Sequence, residues 1–314
     1  MNYINLGKTD LKVSRIGLGT NAVGGHNLFQ NLDESKGFRL VEQALSSGIT
    51  FIDTADVYGF GRSEEMIGEV LRKKGILREN IVLATKGSQQ RLNDGNIVAN
   101  NNPKYLRSAL EASMKRLGTD YIDLYYIHYP DNKTPFSESI GELARLKKEG
   151  KIKEIGISNV TLDQLKEANA DGQIAVLQSP YNLVDRSAES DLIPYCKEQQ
   201  ISFIPYGPLA FGILGGRYNK EFKLNEGDWR QSLPTFQPDA FPHILEKVEK
   251  LKALSLEKQT TVANISIAWL LAQPGIDAVI PGGKDPEQVT ENLKANDISL
   301  TNEEITLISN IFKL

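Results

Sequence analysis

The 314-residue sequence is poor in the residues that hold metals or cross-link chains: it has one cysteine, Cys196, and three histidines, His26, His128 and His243. A single cysteine excludes an intrachain disulfide and a thiolate cluster, and Cys196 reads as a small buried apolar side chain. The histidines lie far apart without ligand spacing, so a metal-dependent hydrolase has no visible ligand set and no metal site is expected. Neither sign of charge dominates. Lys and Arg number 36 against 40 Asp and Glu, a formal net charge of −4, and neither nucleic acid nor an anionic membrane is implied as a partner. The longest apolar run, residues 265–272, is broken by Ser266 and too short to cross a bilayer. The opening MNYINLGKTD lacks the basic and apolar segments of a secretory signal. A soluble cytoplasmic protein is the expectation.

What is present is an alternation of short apolar runs with amphipathic stretches. After a hairpin over residues 2–13, strands are expected at residues 14–19, 49–54, 80–86, 121–128, 152–158, 175–179, 201–205 and 277–281. Helices are expected at residues 34–47, 62–73, 103–117, 135–148, 161–170, 188–199, 241–258, 262–272, 286–295 and 302–312. Eight strands, each followed by helix, predict an α/β fold: a (β/α)8 TIM barrel with an N-terminal hairpin and long loops at its C-terminal face, one domain over residues 1–314. A doubly wound sheet is the alternative. Its phosphate-binding fingerprint is only approximated by Gly17-Leu18-Gly19-Thr20-Asn21-Ala22, which does not run directly into a helix. Two breaks in the rhythm, residues 87–102 and 206–240, are long enough to suggest functional loops.

In a barrel, side chains at the carboxyl ends of the strands converge on one mouth. Asp53 and Tyr58 follow the second strand, Lys86 the third and His128 the fourth. A phenol near an ammonium group is drawn toward ionisation. On that basis Lys86, held by Asp53, tunes Tyr58 as a general acid for a carbonyl oxygen, and His128 orients that oxygen. Reduction of a carbonyl also needs a hydride, which side chains cannot supply, so a nicotinamide cofactor is implied.

These motifs resemble the aldo-keto reductases over nearly the full length. The resemblance is carried by Gly17-Leu18-Gly19-Thr20, Phe51-Ile52-Asp53-Thr54-Ala55, Tyr58-Gly59 with Ser63-Glu64, Thr85-Lys86, the run 117–124 with His128, Gly156-Ile157-Ser158-Asn159, Tyr181-Asn182-Leu183 and Glu291-Asn292. Residues 20–27 and 183–186 are most similar to the bacillar inositol-utilisation protein S type. The resemblance implies a catalytic tetrad of Asp53, Tyr58, Lys86 and His128, with Tyr58 as proton donor, acting on a small-molecule carbonyl.

It also implies cofactor contacts. Ser158, Asn159 and Gln178 match positions that hold the nicotinamide carboxamide, and Tyr206 matches the ring stacked on the nicotinamide. Gly207, Pro208, Leu209 and Gly212 match the loop over the pyrophosphate, with Arg217 as a further charge. Thr20 and Asn21 match a contact near the nicotinamide ribose, and Glu291 and Asn292 the adenine-facing pair. Gly282, Gly283, Lys284 and Gln288 match the 2′-phosphate region. Gly282 and Gln288 stand where many members carry basic residues, so Lys284 carries the expectation of NADP(H) rather than NAD(H). A cofactor-binding regulatory subunit with little turnover is the alternative function. Val57, Tyr129, Trp229, Arg91 and Arg230 are the residues expected to shape substrate choice.

Overall fold

The computed structural model describes residues 1–313. Its centre is a seven-stranded parallel sheet. In chain order the strands are β3 (Leu18–Gly19), β4 (Phe51–Asp53), β5 (Val82–Gly87), β8 (Ile122–Ile127), β9 (Ile152–Ser158), β10 (Ile174–Pro180) and β11 (Ser202–Tyr206), each beside the next. The eighth strand expected at 277–281 is not a regular strand. Residues 276–282 instead bridge both edges of the sheet, through Phe203 to Ile276 on one side and Ile16 to Val279 and Gly19 to Gly282 on the other. The ring is thereby joined as a (β/α)8 barrel requires. The first strand likewise shortens from residues 14–19 to a pair, because Ser14 and Arg15 bond outward to Thr50, Asp277 and Leu271.

Strand alternation sorts the side chains into two apolar clusters. Phe51, Val82, Ala84, Leu124, Tyr126, Val176, Ile204, Ala278 and Ile280 pack together inside the ring. Their sequence neighbours Ile52, Leu83, Tyr125, Leu177, Phe203 and Val279 pack outward under the helices. The short hairpin of β1 (Tyr3–Asn5) and β2 (Lys12–Ser14) adds Leu6, Leu11 and Val13 to the inner cluster and so corks its N-terminal end. Gly156 lies at an inward position of β9, where a Cβ would fall 2.3 Å from the Tyr126 ring. Glycine at that position lets a tyrosine fill the interior.

The helices start where their caps dictate. Helix α1 (Glu34–Ser46) is capped by Asp33, whose carboxylate accepts from the Ser35 amide at 2.9 Å. Helix α2 (Arg62–Lys74) has Glu64 and Glu65 in its first turn and three basic residues in its last, complementing the helix dipole. Helix α3 (Pro103–Leu117) begins on Asn102 and proline, followed by α4 (Phe136–Lys148). Helix α5 (Leu162–Ala168) carries a reciprocal Thr161–Gln164 cap. Helices α6 (Leu192–Gln199), α7 (Phe241–Glu257), α8 (Val262–Leu271), α9 (Pro286–Leu293) and α10 (Asn302–Ile311) complete the outer layer. Among the described residues no helix is long and apolar enough to cross a membrane.

Both long loops acquire structure that apolar periodicity did not announce. Residues 87–102 contain a second hairpin, β6 (Gln89–Arg91) with β7 (Ile97–Ala99). Its strands are polar or exposed on both faces, so no alternation marks them. Residues 206–240 fold into short 3-10 turns held by an aromatic group in which Tyr218 stacks on Phe222 at 3.7 Å and Phe236 on Phe241 at 5.5 Å.

Candidate active site

The inward register of the strands continues past the core and becomes polar. Two residues beyond Phe51 is Asp53; two beyond Ala84 is Lys86; two beyond Tyr126 is His128. The same spacing leads from Gly156 to Ser158, from Val176 to Gln178 and from Ile204 to Tyr206. The barrel alternation that packs the interior therefore delivers six polar side chains to one mouth.

Lys86 and Asp53 form a buried pair. The Lys86 Nζ donates to Asp53 Oδ1 at 2.5 Å and to the Thr54 carbonyl at 2.8 Å. Gln178 Nε2 donates to the other Asp53 oxygen at 2.9 Å. Lys86 Nζ also stands 5.5 Å from the centre of the Tyr58 ring and 5.6 Å from that of Tyr126. Tyr58 and His128 meet edge to face with ring centres 6.1 Å apart. The tetrad read from the sequence is thus one cluster.

Its proton chemistry differs from the expectation. The Lys86 ammonium does not outweigh the groups that keep Tyr58 protonated. Burial first, and then the Asp53 carboxylate, hold the phenol well above its usual range. The reason is that the Lys86 charge is already matched by Asp53. Tyr58 therefore holds its proton firmly until a developing alkoxide needs one. His128 is buried and its imidazole lies well below the usual 6.5, because burial and then Lys86 disfavour a second proton. It is a neutral ring, and its Nδ1 has no hydrogen-bond partner. A neutral imidazole offers one donor and one acceptor, which suits orienting a carbonyl oxygen.

This depression has a sign in stability. The unfolded chain takes up the His128 proton below about pH 6.5 while the folded chain refuses it, so acidification through that point favours unfolding. Urea melts of wild type and His128→Gln across pH 7 to 5 are expected to diverge. The wild type should lose up to about 1.4 kcal/mol more per pH unit than the variant; parallel curves would show that the imidazole is freely protonated.

The turn carrying Tyr58 depends on one glycine. Gly59 has φ of 60°, and a Cβ there would lie 1.9 Å from the Gly24 carbonyl oxygen. Gly59→Ala is expected to destabilise the protein by about 2 kcal/mol or more, since both the conformation and the contact are unfavourable. Thermal melting and turnover should fall together, because the same turn places the phenol.

The remaining candidates divide. Asn159, in a left-handed conformation with φ of 57°, donates to the His128 carbonyl at 3.0 Å and accepts from the Tyr206 hydroxyl at 2.9 Å. The Ser158 hydroxyl oxygen accepts from the same Asn159 amide nitrogen at 3.0 Å. Gly207 accepts from Asn182 at 3.0 Å, Pro208 is buried and Leu209 packs on the outer core. At Gly212, φ is 109° where the chain passes the Tyr218 hydroxyl. Asn21 reaches toward Gly282 across the β3 edge. Thr20, matched to a contact near the nicotinamide ribose, is buried; its hydroxyl donates to the Asp53 carbonyl at 2.9 Å and fastens β3 to β4. Gln178, expected on the carboxamide, has its Nε2 committed to Asp53. Asn292 is buried in α9 rather than open to a ligand.

Arg217, Gln288 and Glu291 line a separate cavity of about 420 Å3 together with Thr261, Asp285 and Glu287. Gly283 lies alongside, close to Leu40 and Gln288. Lys284 is not among that lining. Its Nζ sits 4.5 Å over the Phe29 ring. Of the expected rim residues, Val57 is buried and Tyr129 lies tilted by 35° against His128, ring centres 5.1 Å apart. Arg230 is paired with Asp228 and bonds the Phe211 carbonyl and the Tyr218 hydroxyl, so it holds the 206–240 loop together. Trp229 packs between Phe211 and Phe29, and Arg91 lies 4.1 Å over Phe60 at the mouth.

Supporting residues had no role assigned from sequence. Glu64, fully buried, accepts from Thr85 Oγ1 and from Arg116 Nε, each at 2.6 Å, and so anchors the outward neighbour of Lys86. Asp56 is pushed up to about 8, mainly by burial, with Glu64 adding to the shift. A glutamate on the buried face of α2, opposite the outward-pointing Thr85 of β5, was the available signal.

The pattern of the aldo/keto reductase family matches residues 15–313. The chain is 35% identical to aldo-keto reductase YhdN of Bacillus subtilis, covering 100% of this chain and 94% of that protein. It is also 35% identical to the NADH-specific methylglyoxal reductase of Escherichia coli, covering 98% and 97%. The solved glycerol dehydrogenase AKR11B4 of Gluconobacter oxydans superposes with a TM-score of 0.90 at 32% identity, covering 98% of this chain and 94% of that one. The polar mouth and this full-length similarity lead to one statement: the chain belongs to the aldo/keto reductase family.

Proposed function

We propose that this protein reduces the carbonyl of a small aldehyde or ketone to an alcohol, with Tyr58 donating the proton and Asp53, Lys86 and His128 preparing the site. The supporting observation is that Asp53, Lys86 and His128 share the inward strand register, with the Tyr58 ring brought against Lys86 and His128 by the turn after β4. A nicotinamide cofactor supplies the hydride when bound. The residues suit one: a cavity lined by Arg217 lies beside α9, and the buried His128 Nδ1 has no hydrogen-bond partner.

This chain's residues then do three things. His128 orients the carbonyl oxygen toward the mouth. Tyr58 gives that oxygen its proton as negative charge develops, and the nearby Lys86 ammonium stabilises the phenolate left behind. Asp53 and Gln178 keep the ammonium in place. The protein is read as one cytoplasmic reductase domain over residues 1–314. The likeness to the inositol-utilisation type rests on residues 20–27 and 183–186. The names of the relatives, a methylglyoxal reductase and a glycerol dehydrogenase, favour small oxygenated substrates. Purified protein supplied with methylglyoxal or glyceraldehyde should oxidise NADH or NADPH. A rate no higher than that of Tyr58→Phe with every aldehyde would favour a cofactor-binding subunit instead.

A further inference from the structure

We infer that the cavity beside α9 accepts an unphosphorylated adenosine ribose, so that this protein binds NADH in preference to NADPH. The inference rests on the proposed nicotinamide-dependent function and specifies which nucleotide that site takes. It reverses the expectation built on Lys284.

Three observations carry it. The cavity of about 420 Å3 is lined by one cation, Arg217, against three carboxylates, Asp285, Glu287 and Glu291. Two of those acids have cationic partners: Lys36 pairs with Asp285 and Lys294 with Glu291. Glu287 has no ion-pair partner among the described residues. Second, the two side chains placed by sequence at the 2′-phosphate are otherwise engaged. Lys284 lies over Phe29, outside the lining. Gln288 Oε1 accepts from the amides of Lys284 at 2.7 Å and Asp285 at 3.1 Å, which fixes the start of α9. Third, the chain reaches this place through Gly282 and Gly283, which bring no charge of their own.

A phosphate here would add two negative charges beside carboxylates, with Arg217 alone among the lining residues to offset them. A ribose diol would instead present hydroxyl donors that carboxylates accept. An acid at the ribose favours the diol and an arginine favours the phosphate in other dinucleotide sites. With Asp285 and Glu291 already paired to Lys36 and Lys294, Arg217 is the one lining cation left to a phosphate and the unpaired Glu287 opposes it, which favours the diol.

Calorimetric titration of the full chain with NADH and NADPH, without substrate, tests this. NADH is expected to bind at least about ten-fold tighter, the scale of one or two like-charge contacts near a protein surface. Glu287→Gln, at an exposed position, should narrow the gap about three-fold or more. Asp285→Ser combined with Glu287→Gln should narrow it further, with NADPH binding more tightly than to the wild type and NADH, having lost carboxylate acceptors for its diol, no more tightly. Higher salt should narrow it too. NADPH binding as tightly as NADH in the wild type would overturn the inference while leaving the reductase reading intact. A gap unchanged in both variants would also overturn it. Failure of both nucleotides to bind would overturn the cofactor reading, and this inference with it.

Discussion

Tyr58→Phe is expected to lower kcat by about 10²–10⁴-fold while leaving nucleotide affinity within about two-fold, because it removes a positioned proton donor and nothing else. Tyr58 is half-buried, and desolvation and then Asp53 hold its proton well above the ordinary range. It is therefore loaded at neutral pH, and its removal leaves the developing alkoxide with the neutral His128 ring as its nearest donor. Single-turnover rates with an aldehyde, and nucleotide titrations on the same preparations, separate the two effects. A Tyr58→Phe enzyme within ten-fold of wild type would place the proton donor elsewhere.

Lys86→Met should be the most damaging single change to stability. It leaves the Asp53 carboxylate, 2% exposed, with Gln178 as its one remaining side-chain partner. Stranding one member of a buried ion pair costs about 3–5 kcal/mol. The double variant Asp53→Leu with Lys86→Met removes both charges and should recover much of that loss, since a buried pair is close to neutral against well-packed apolar side chains. It should not recover turnover, because the group that stabilises the Tyr58 phenolate is gone. Urea denaturation of the wild type, Lys86→Met, Asp53→Leu and the double variant, analysed as a double-mutant cycle, reads the coupling directly. Additive single effects would mean that the two charges do not depend on each other.

The tetrad was legible because its members sit at fixed offsets from apolar strands. Phe51 to Asp53 and Ala84 to Lys86 are steps of two along a strand, and that spacing is visible without coordinates. The elements that escaped have weaker patterns. The hairpin of Gln89–Arg91 and Ile97–Ala99 has no buried face, so no alternation marked it. Residues 276–282 close the sheet with isolated bridges, and their apolar run suggested a longer strand than forms. Roles that depend on what a side chain is already bonded to were the least readable. Thr20 is bonded to the Asp53 carbonyl, Gln178 to the Asp53 carboxylate and Gln288 to two amides. Each has a ligand-compatible side chain with a polar atom already engaged within the protein. Lys284 illustrates the same limit, since a lysine next to a phosphate-binding turn gives no hint that Phe29 lies beneath it.

The most direct test of the account follows the hydride. The full chain is supplied with NADH or NADPH deuterated at the transferring carbon of the nicotinamide, together with methylglyoxal or glyceraldehyde, and the alcohol is analysed by mass spectrometry and NMR. The account predicts one deuterium on the former carbonyl carbon, formed by the wild type and nearly abolished in Tyr58→Phe. An alcohol without deuterium at that carbon, or no alcohol at all beside tightly bound cofactor, would contradict it.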